Sequence, residues 1–167
     1  TIITENRNKH QDENWFYNAC SYTLDAIDIL GERYRETALE NAEKCKNEND
    51  KTFYLRMAEA FKVVPKKPAY DFTSAMCSFM LIFALDGSDS PGRFDQYMYE
   101  AYLKTENKEE VTHLLDKLWD YFYDHRSWNL CISGSDELWN DKSNELTYDI
   151  LDMVRKKGYN TPNLTCR

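Results

Sequence analysis

The chain predicts a mainly α fold with one βαβ unit at its C-terminal end. Three observations carry this reading. Apolar residues recur at helical spacing in successive segments from Asp12 onward, the stretch Phe72 to Leu85 is apolar nearly all round, and residues 127–167 alternate strand, helix and strand signals. In that last stretch Trp128 to Ser133 is β-prone and stops at Gly134. Leu146, Ile150, Met153 and Val154 mark a helix from about Lys142 to Lys156, which Gly158 and Pro162 end. Asn163 to Cys166 then form a second strand. Strands joined by a single helix run parallel with a right-handed crossover, and parallel strands need cover that the remaining helices supply.

Taken in order, residues 1–11 are polar and mark no element. Asp12 to about Asn47 reads as one helix with a stripe of Phe16, Cys20, Leu24, Ile27, Leu30 and Tyr34. Gly31 interrupts it at a cost of about 1 kcal/mol against Ala, so it marks a kink or a close contact. Lys44 to Lys51 is a charged turn, and a second helix from about Lys51 to Val63 carries Phe53, Met57 and Phe61. Pro65 and Pro68 bracket a rigid loop. Asp71 is the expected N-cap of the central helix, which should be the most buried. Residues 86–92, Asp-Gly-Ser-Asp-Ser-Pro-Gly, are the densest turn signal in the chain. Arg93 to Lys104 resumes a helix with Phe94, Tyr97, Met98, Ala101 and Tyr102 inward. Asn107 with Glu110 makes a capping-box-like start for a helix over 108–126, with Val111, Leu114, Leu115, Leu118 and Phe122 as its core stripe.

Composition excludes several classes of function. The chain has 167 residues, 42% hydrophobic and 14% aromatic, which is enough for a packed core and argues against disorder. A net charge of −8 with only short basic runs, Lys66-Lys67 and Arg155-Lys156-Lys157, argues against a nucleic-acid face. The longest apolar run, Phe79 to Leu85, is too short to span a membrane. Five cysteines at wide spacing and three scattered histidines give no zinc or metal pattern and fit a reducing, cytoplasmic compartment. Three of the cysteines sit in apolar surroundings and read as small buried hydrophobes. No Ser/His/Asp or Cys/His constellation is legible.

Two stretches carry a resemblance. Ser88-Asp89-Ser90-Pro91-Gly92-Arg93-Phe94-Asp95-Gln96-Tyr97-Met98-Tyr99 and the residues Gly134, Asp136, Asp141, Asn144, Glu145, Leu146, Thr147 and Tyr148 are similar to two segments of the glycyl radical enzymes of the pyruvate formate-lyase-like group. Pro162-Asn163-Leu164 and Arg167 resemble the strand that follows in that group. Val64-Pro65, Pro68-Ala69 and Phe72 fit its loop before the central helix. The chain departs from the pattern at Ser74 to Cys77, at Gly87, where the diol-dehydratase branch has His, and at Trp139, where a turn Gly is usual. The loop around Trp139 is therefore expected either to take a different turn or to pack the indole against a neighbour.

The resemblance implies an α/β fragment of a ten-stranded barrel: one partial domain over residues 1–167, with helical wrapping over about 12–126 and strand, helix and strand over about 127–167. It implies a cytoplasmic, anaerobic parent enzyme, formate C-acetyltransferase-like, that cleaves a C–C, C–O or C–N bond. Its cofactor is a protein glycyl radical installed by a radical-SAM activating enzyme, and the parent is a homodimer. The thiyl-cysteine and glycyl loops are absent from this stretch, so the chain alone is expected to be inactive, with no catalytic residue, no metal and no cofactor of its own. Ser88 is the one substrate-lining candidate. Pro91, Gly92, Arg93, Asp95, Gln96, Gly134, Asp136, Asp141, Asn144, Glu145 and Arg167 are expected to hold the loops. Arg155-Lys156-Lys157-Gly158-Tyr159 looks like the radical loop, but a Gly after a cationic last turn is explained as a helix C-cap. Partners are the rest of the barrel or self-association through exposed strand edges, with no nucleic acid and no membrane. The alternative is a stand-alone helical interaction domain derived from the family.

Overall fold

A computed structural model describes residues 2–87 and 90–166. They contain seven α-helices and two short strands: α1 (Ile2–Lys9), α2 (Asn14–Lys44), α3 (Glu48–Ala60), α4 (Phe72–Asp86), α5 (Phe94–Leu103), α6 (Lys108–Asp124), β1 (Asn129–Ile132), α7 (Glu145–Lys157) and β2 (Asn163–Cys166). The chain divides into two compact units, Thr1–Pro68 and Ala69–Arg167.

In the first unit, α2 packs along α3 and α1. The polar N-terminal stretch, expected to mark no element, is helical; Arg7 ties it to α2 by donating to the Tyr17 carbonyl and to Ser21 Oγ. α2 runs unbroken through Gly31, and a Cβ built there would lie 3.1 Å from Pro65 Cδ. Of the two sequence expectations for Gly31, close contact is the correct one. The buried face of α2 is Tyr17, Gly31, Ala38 and Ala42, whereas Phe16, Leu24 and Tyr34 are exposed. The stripe of large side chains pointed to the wrong face, because the tight α2–α3 contact selects small residues. Asn47 caps α3 by accepting from the Asn49 and Asp50 amides, so that helix starts three residues before the expected Lys51.

The second unit is built around α4. Asp71 accepts from the Ser74 amide and Ser74 Oγ accepts from the Asp71 amide, a reciprocal capping box. This gives Ser74, a departure from the family pattern, a local purpose. Eight residues of α4 are buried, the most of any helix described, yet Ile82 and Leu85 near its end are exposed. α4 lies against α5 and α6, and α7 packs on both α5 and α6. Phe83 meets Phe122 edge-on and Phe79 meets Phe94 edge-on, joining these helices through aromatic contacts. The α6 stripe is buried as expected, with Trp119 added. Asn107 caps α6 by accepting from the amides of residues 109 and 110, while the Glu110 carboxylate accepts from Thr73 Oγ1.

β1 and β2 pair in parallel with Asn129 opposite Asn163 and Ile132 opposite Cys166. β1 is covered on its other edge as well: Arg93 bridges to Cys131, whose amide donates to the Gly92 carbonyl at 2.9 Å. The expectation that both outer edges are bare is therefore corrected for β1. Leu130 and Ile132 are buried. The cysteine expectation is corrected too, since Cys77 is the only buried one of five. Gly158 ends α7 at φ 63°, its amide donating to the Val154 carbonyl, which is the C-cap geometry the sequence predicts.

Candidate functional site

Ser88 and Arg167 lie outside the described residues. The remaining candidates fall on two segments, residues 90–103 and 134–148, and the fold brings these together around Asp95. Phe94 starts α5 and is fully buried, which places Asp95 inside the packed unit with 0% of its surface exposed. One carboxylate oxygen, Oδ2, accepts from the Ser133 amide at 2.7 Å, from Gln96 Nε2 at 3.0 Å and from Thr147 Oγ1. These donors come from the end of β1, from α5 itself and from the first turn of α7. Oδ1 is buried without a hydrogen-bond partner. The Asp95 carbonyl accepts from Asn144 Nδ2 at 3.3 Å. A buried carboxylate without a cationic partner is costly, and its position against the N-terminus of α7 supplies the compensating positive potential.

Arg93 and Gln96 secure the same junction from either side. Arg93 donates from Nε and Nη2 to the Ser133 carbonyl at 3.2 and 2.8 Å, so Ser133 has both backbone groups held by the 90–103 segment. Gln96 Nε2 also donates to the Lys142 carbonyl at 2.9 Å. Asn144 is the N-cap of α7, in a reciprocal box with Thr147, and that box is why Thr147 Oγ1 is oriented to reach Asp95. Pro91 contributes its carbonyl, which accepts from the Tyr97 hydroxyl at 2.9 Å. Tyr97, expected inward, is half exposed, and partial burial pushes its pKa up.

Beyond Gly134 the chain makes a stapled turn. Asp136 Oδ1 accepts from the amides of Leu138 and Asn140 and from Asn140 Nδ2, and Oδ2 pairs with Lys142 Nζ at 3.0 Å. The Asn140 side chain and then Lys142 hold its carboxyl well below the usual carboxylate range. Asp141 accepts from the amide and hydroxyl of Ser143, which lower its pKa in the same way. Trp139, at the apex, has φ 64° and is 87% exposed. The expectation that the indole packs against a neighbour fails: Trp139 holds a left-handed turn position with its ring exposed.

A tyrosine–carboxylate ladder joins α5 to α7. Tyr99 donates to Glu145 and Tyr102 donates to Asp149 at 2.9 Å. The hydrogen bond lowers the Glu145 pKa and raises that of Tyr99, while burial followed by the Asp149 bond pushes Tyr102 up to about 12. Ser133, Tyr102 and Asp149 were not singled out from the sequence, and Thr147 and Tyr99 were noted only as part of the family-like segments. The available signal was spacing: Tyr99 and Tyr102 at i, i+3 face Glu145 and Asp149 at i, i+4. A polar hollow of about 470 Å³ lies over the ladder, lined by Gln96, Tyr99, Lys142 and Glu145 among others. Its one serine, Ser143, donates its hydroxyl to Asp141 as part of the turn that precedes α7. Among the described residues no cluster of His, Cys, Asp or Glu could hold a metal, and no helix is long and apolar enough to cross a membrane. Chemically, the arrangement is a clamp that fixes two loops against the end of a strand.

The fold is one that known structures share. The chain superposes with a TM-score of 0.83 and 25% identity on the Roseburia inulinivorans protein of 1,2-propanediol dehydration, covering 99% of this chain and 26% of that one. A glycyl radical enzyme from Archaeoglobus fulgidus aligns with a TM-score of 0.81 at 23% identity, covering 99% of this chain and 26% of that one. Isethionate sulfite-lyases from Bilophila wadsworthia and Desulfovibrio desulfuricans are 28% and 30% identical over 93% and 91% of this chain. The chain spans 22% of the length of each of these curated relatives. The family model described as "Pyruvate formate lyase-like" matches residues 3–167, and the chain belongs to that family.

Proposed function

We propose that this chain is the wrapping helices and first strand pair of a glycyl radical enzyme acting as a lyase or dehydratase. The observation that carries this is the junction at Asp95, where two family-like segments forty residues apart meet on one carboxylate oxygen. Similarity to isethionate sulfite-lyases over nine-tenths of the chain favours bond cleavage by a lyase over acyl transfer to formate. In this reading Ser88 lines the substrate pocket, and the clamp of Arg93, Asp95, Gln96, Asn144 and Thr147 keeps that wall rigid. The compartment is an anaerobic cytoplasm, and the outer edge of β2 receives the next strand of the parent or a second copy.

The described residues do not fit the radical itself. Gly158 closes a helix with its amide bonded to Val154, and Gly87 ends α4 at φ 65°; both glycines are spent on caps. In this reading the chain alone is inactive. The test is anaerobic incubation with a radical-SAM activating enzyme, reductant and S-adenosylmethionine, followed by electron paramagnetic resonance. We expect no glycyl doublet from the 167-residue chain. A doublet that vanished in Gly158→Ala would sink the assignment. Reading the coding sequence downstream of Arg167 tests the parent directly: a cysteine loop and a glycyl loop support the enzyme, and a stop codon supports the stand-alone interaction domain.

A further inference from the structure

We propose that Tyr99 and Tyr102, each hydrogen-bonded to a carboxylate of α7, form a redox-active pair that gives up one electron and one proton to a sulfur-centred radical. A phenol is hard to oxidise while it keeps its proton, because the radical cation it would form is a strong acid. A base already bonded to the hydroxyl removes that obstacle by taking the proton as the electron leaves. An ionised carboxylate is such a base, and it accepts more strongly than a neutral carbonyl or amide oxygen.

Both hydroxyls meet this condition. Tyr99 donates to Glu145, and Tyr102 donates to Asp149 at 2.9 Å. The two rings stand one turn apart on α5 and are stacked, with centroids 5.9 Å apart and planes 20° from parallel. An electron vacancy can therefore pass from one ring to the other. Two other tyrosines mark the contrast. The Tyr97 hydroxyl is satisfied by the Pro91 carbonyl, which is no base. Tyr159 donates to Asp120, but that carboxylate is shared with Lys157 Nζ at 2.7 Å, which weakens its pull on a proton. Lys108 acts on Glu145 only from beyond ion-pair distance, and among the described residues no cation pairs with Glu145 or Asp149. A staple between α5 and α7 needs only acceptors; this one supplies two unshared bases.

Lys108 sets the direction of transfer. Its ammonium lies 3.5 Å from the centroid of the Tyr102 ring and donates to the Tyr102 carbonyl. A positive charge over an aromatic face makes an electron harder to withdraw from that ring. Phe72 meets the same ring edge-on, and Tyr102 is buried. The vacancy therefore comes to rest on Tyr99.

The step balances. The Tyr99 O–H bond breaks, its electron reduces the sulfur radical to a thiolate, and its proton passes to the Glu145 carboxylate. A neutral phenoxyl radical and a neutral carboxylic acid are left side by side. A reductant of the ascorbate class returns the electron, and the proton comes back from Glu145. In a glycyl radical enzyme this pair is a sink for a radical that strays from the reaction centre. That role rests on the reading above, whereas the redox site stands on the geometry of α5 and α7.

The experiment is laser flash oxidation of the 167-residue chain with a ruthenium tris-bipyridine sensitiser and a cobalt(III) quencher. Tyrosyl formation is followed by transient absorption and, after rapid freezing, by electron paramagnetic resonance. The chain has 12 tyrosines, so substitution identifies the site. We expect a fast tyrosyl phase that is slower in heavy water. Tyr99→Phe should abolish it. Glu145→Gln keeps an acceptor oxygen but no base and should slow it about a hundredfold. Both variants should keep the circular dichroism spectrum of the parent chain, and Tyr159→Phe should leave the fast phase intact. A fast phase that survives Tyr99→Phe, or that runs as fast in Glu145→Gln or in heavy water, overturns the proposal. So does its loss in Tyr159→Phe, which would move the site to Asp120. Because light supplies the oxidant, failure here leaves the lyase reading standing, and the glycyl radical assay decides that reading without touching this one.

Discussion

Replacing Asp95 by asparagine removes the charge from a carboxyl group with no exposed surface while keeping its shape. Three donors reach Oδ2, from Ser133, Gln96 and Thr147. A hydrogen bond to a charged acceptor contributes about 1.5–3 kcal/mol and one to a neutral acceptor about 0.5–1.5 kcal/mol, so neutralisation weakens each by about 1 kcal/mol. Relief from burying a charge without a cationic partner returns part of that loss. The amide group that replaces Oδ1 inherits a position without a partner and adds a small penalty. A net cost of about 2 kcal/mol follows, equivalent to about 6 °C in melting temperature for a chain of this length. Asp95→Ala leaves three donors without their acceptor and should cost about 4 kcal/mol. Urea unfolding measures both, and hydrogen exchange localises the effect: amides of residues 133–147 should lose protection before those of α6. A variant Asp95→Asn as stable as the parent chain, or Asp95→Ala within 1 kcal/mol of it, would refute the view that this carboxylate holds the two segments together.

Three further outcomes are expected. Gly158→Ala places a Cβ at φ 63° and should destabilise the chain by about 1 kcal/mol, seen as a lower urea midpoint with unchanged slope. Asp136 has a folded-state pKa below its unfolded value, so the stability it contributes is present above the usual carboxylate pKa and is lost as pH falls through the folded one; acid titration by nuclear magnetic resonance should show its carboxyl still ionised after exposed aspartates have protonated, with the 136–142 turn loosening only at the acid extreme. Gly31→Ala sets a helix-propensity gain of about 1 kcal/mol against a Cβ 3.1 Å from Pro65 Cδ and should come out near neutral, whereas Gly31→Val should cost more than 2 kcal/mol in thermal unfolding.

What could be read from the sequence was decided by local chemistry. Asp71 and Asn107 each announce a helix start because the side chain that caps lies within three residues of the amide it serves, whereas the last helix was expected from about Lys142 and its true cap is Asn144. The parallel pairing of β1 and β2 followed from one helix between two short apolar runs. The α2 face was misread for the opposite reason. Its packing is set by how closely another backbone approaches, so Gly31, Ala38 and Ala42 are inside with Tyr17, while Phe16, Leu24 and Tyr34 are not. Asp95 was expected to hold a loop, but its weight was not visible, because two of its donors lie 38 and 52 positions away and only the folded chain brings them to one oxygen. Trp139 went unread since nothing in a sequence distinguishes a tolerated left-handed residue from a different turn.

The bond from the Cys131 amide to the Gly92 carbonyl has a consequence for how this chain can vary in length. Gly92 is fixed to β1 by its carbonyl, and three residues later Asp95 is fixed to the end of the same strand through Ser133. The interval between them is therefore measured twice, once along α5's first turn and once along β1. An insertion ahead of Gly92 lengthens a connection and leaves both attachments in place. A single residue inserted between Gly92 and Asp95 would rotate the carboxylate by about 100° around the start of α5, taking it away from Ser133 and Thr147 together. Relatives of this chain that carry the same clamp should thus vary in the loop after α4 and keep a constant count of residues from Gly92 to Asp95.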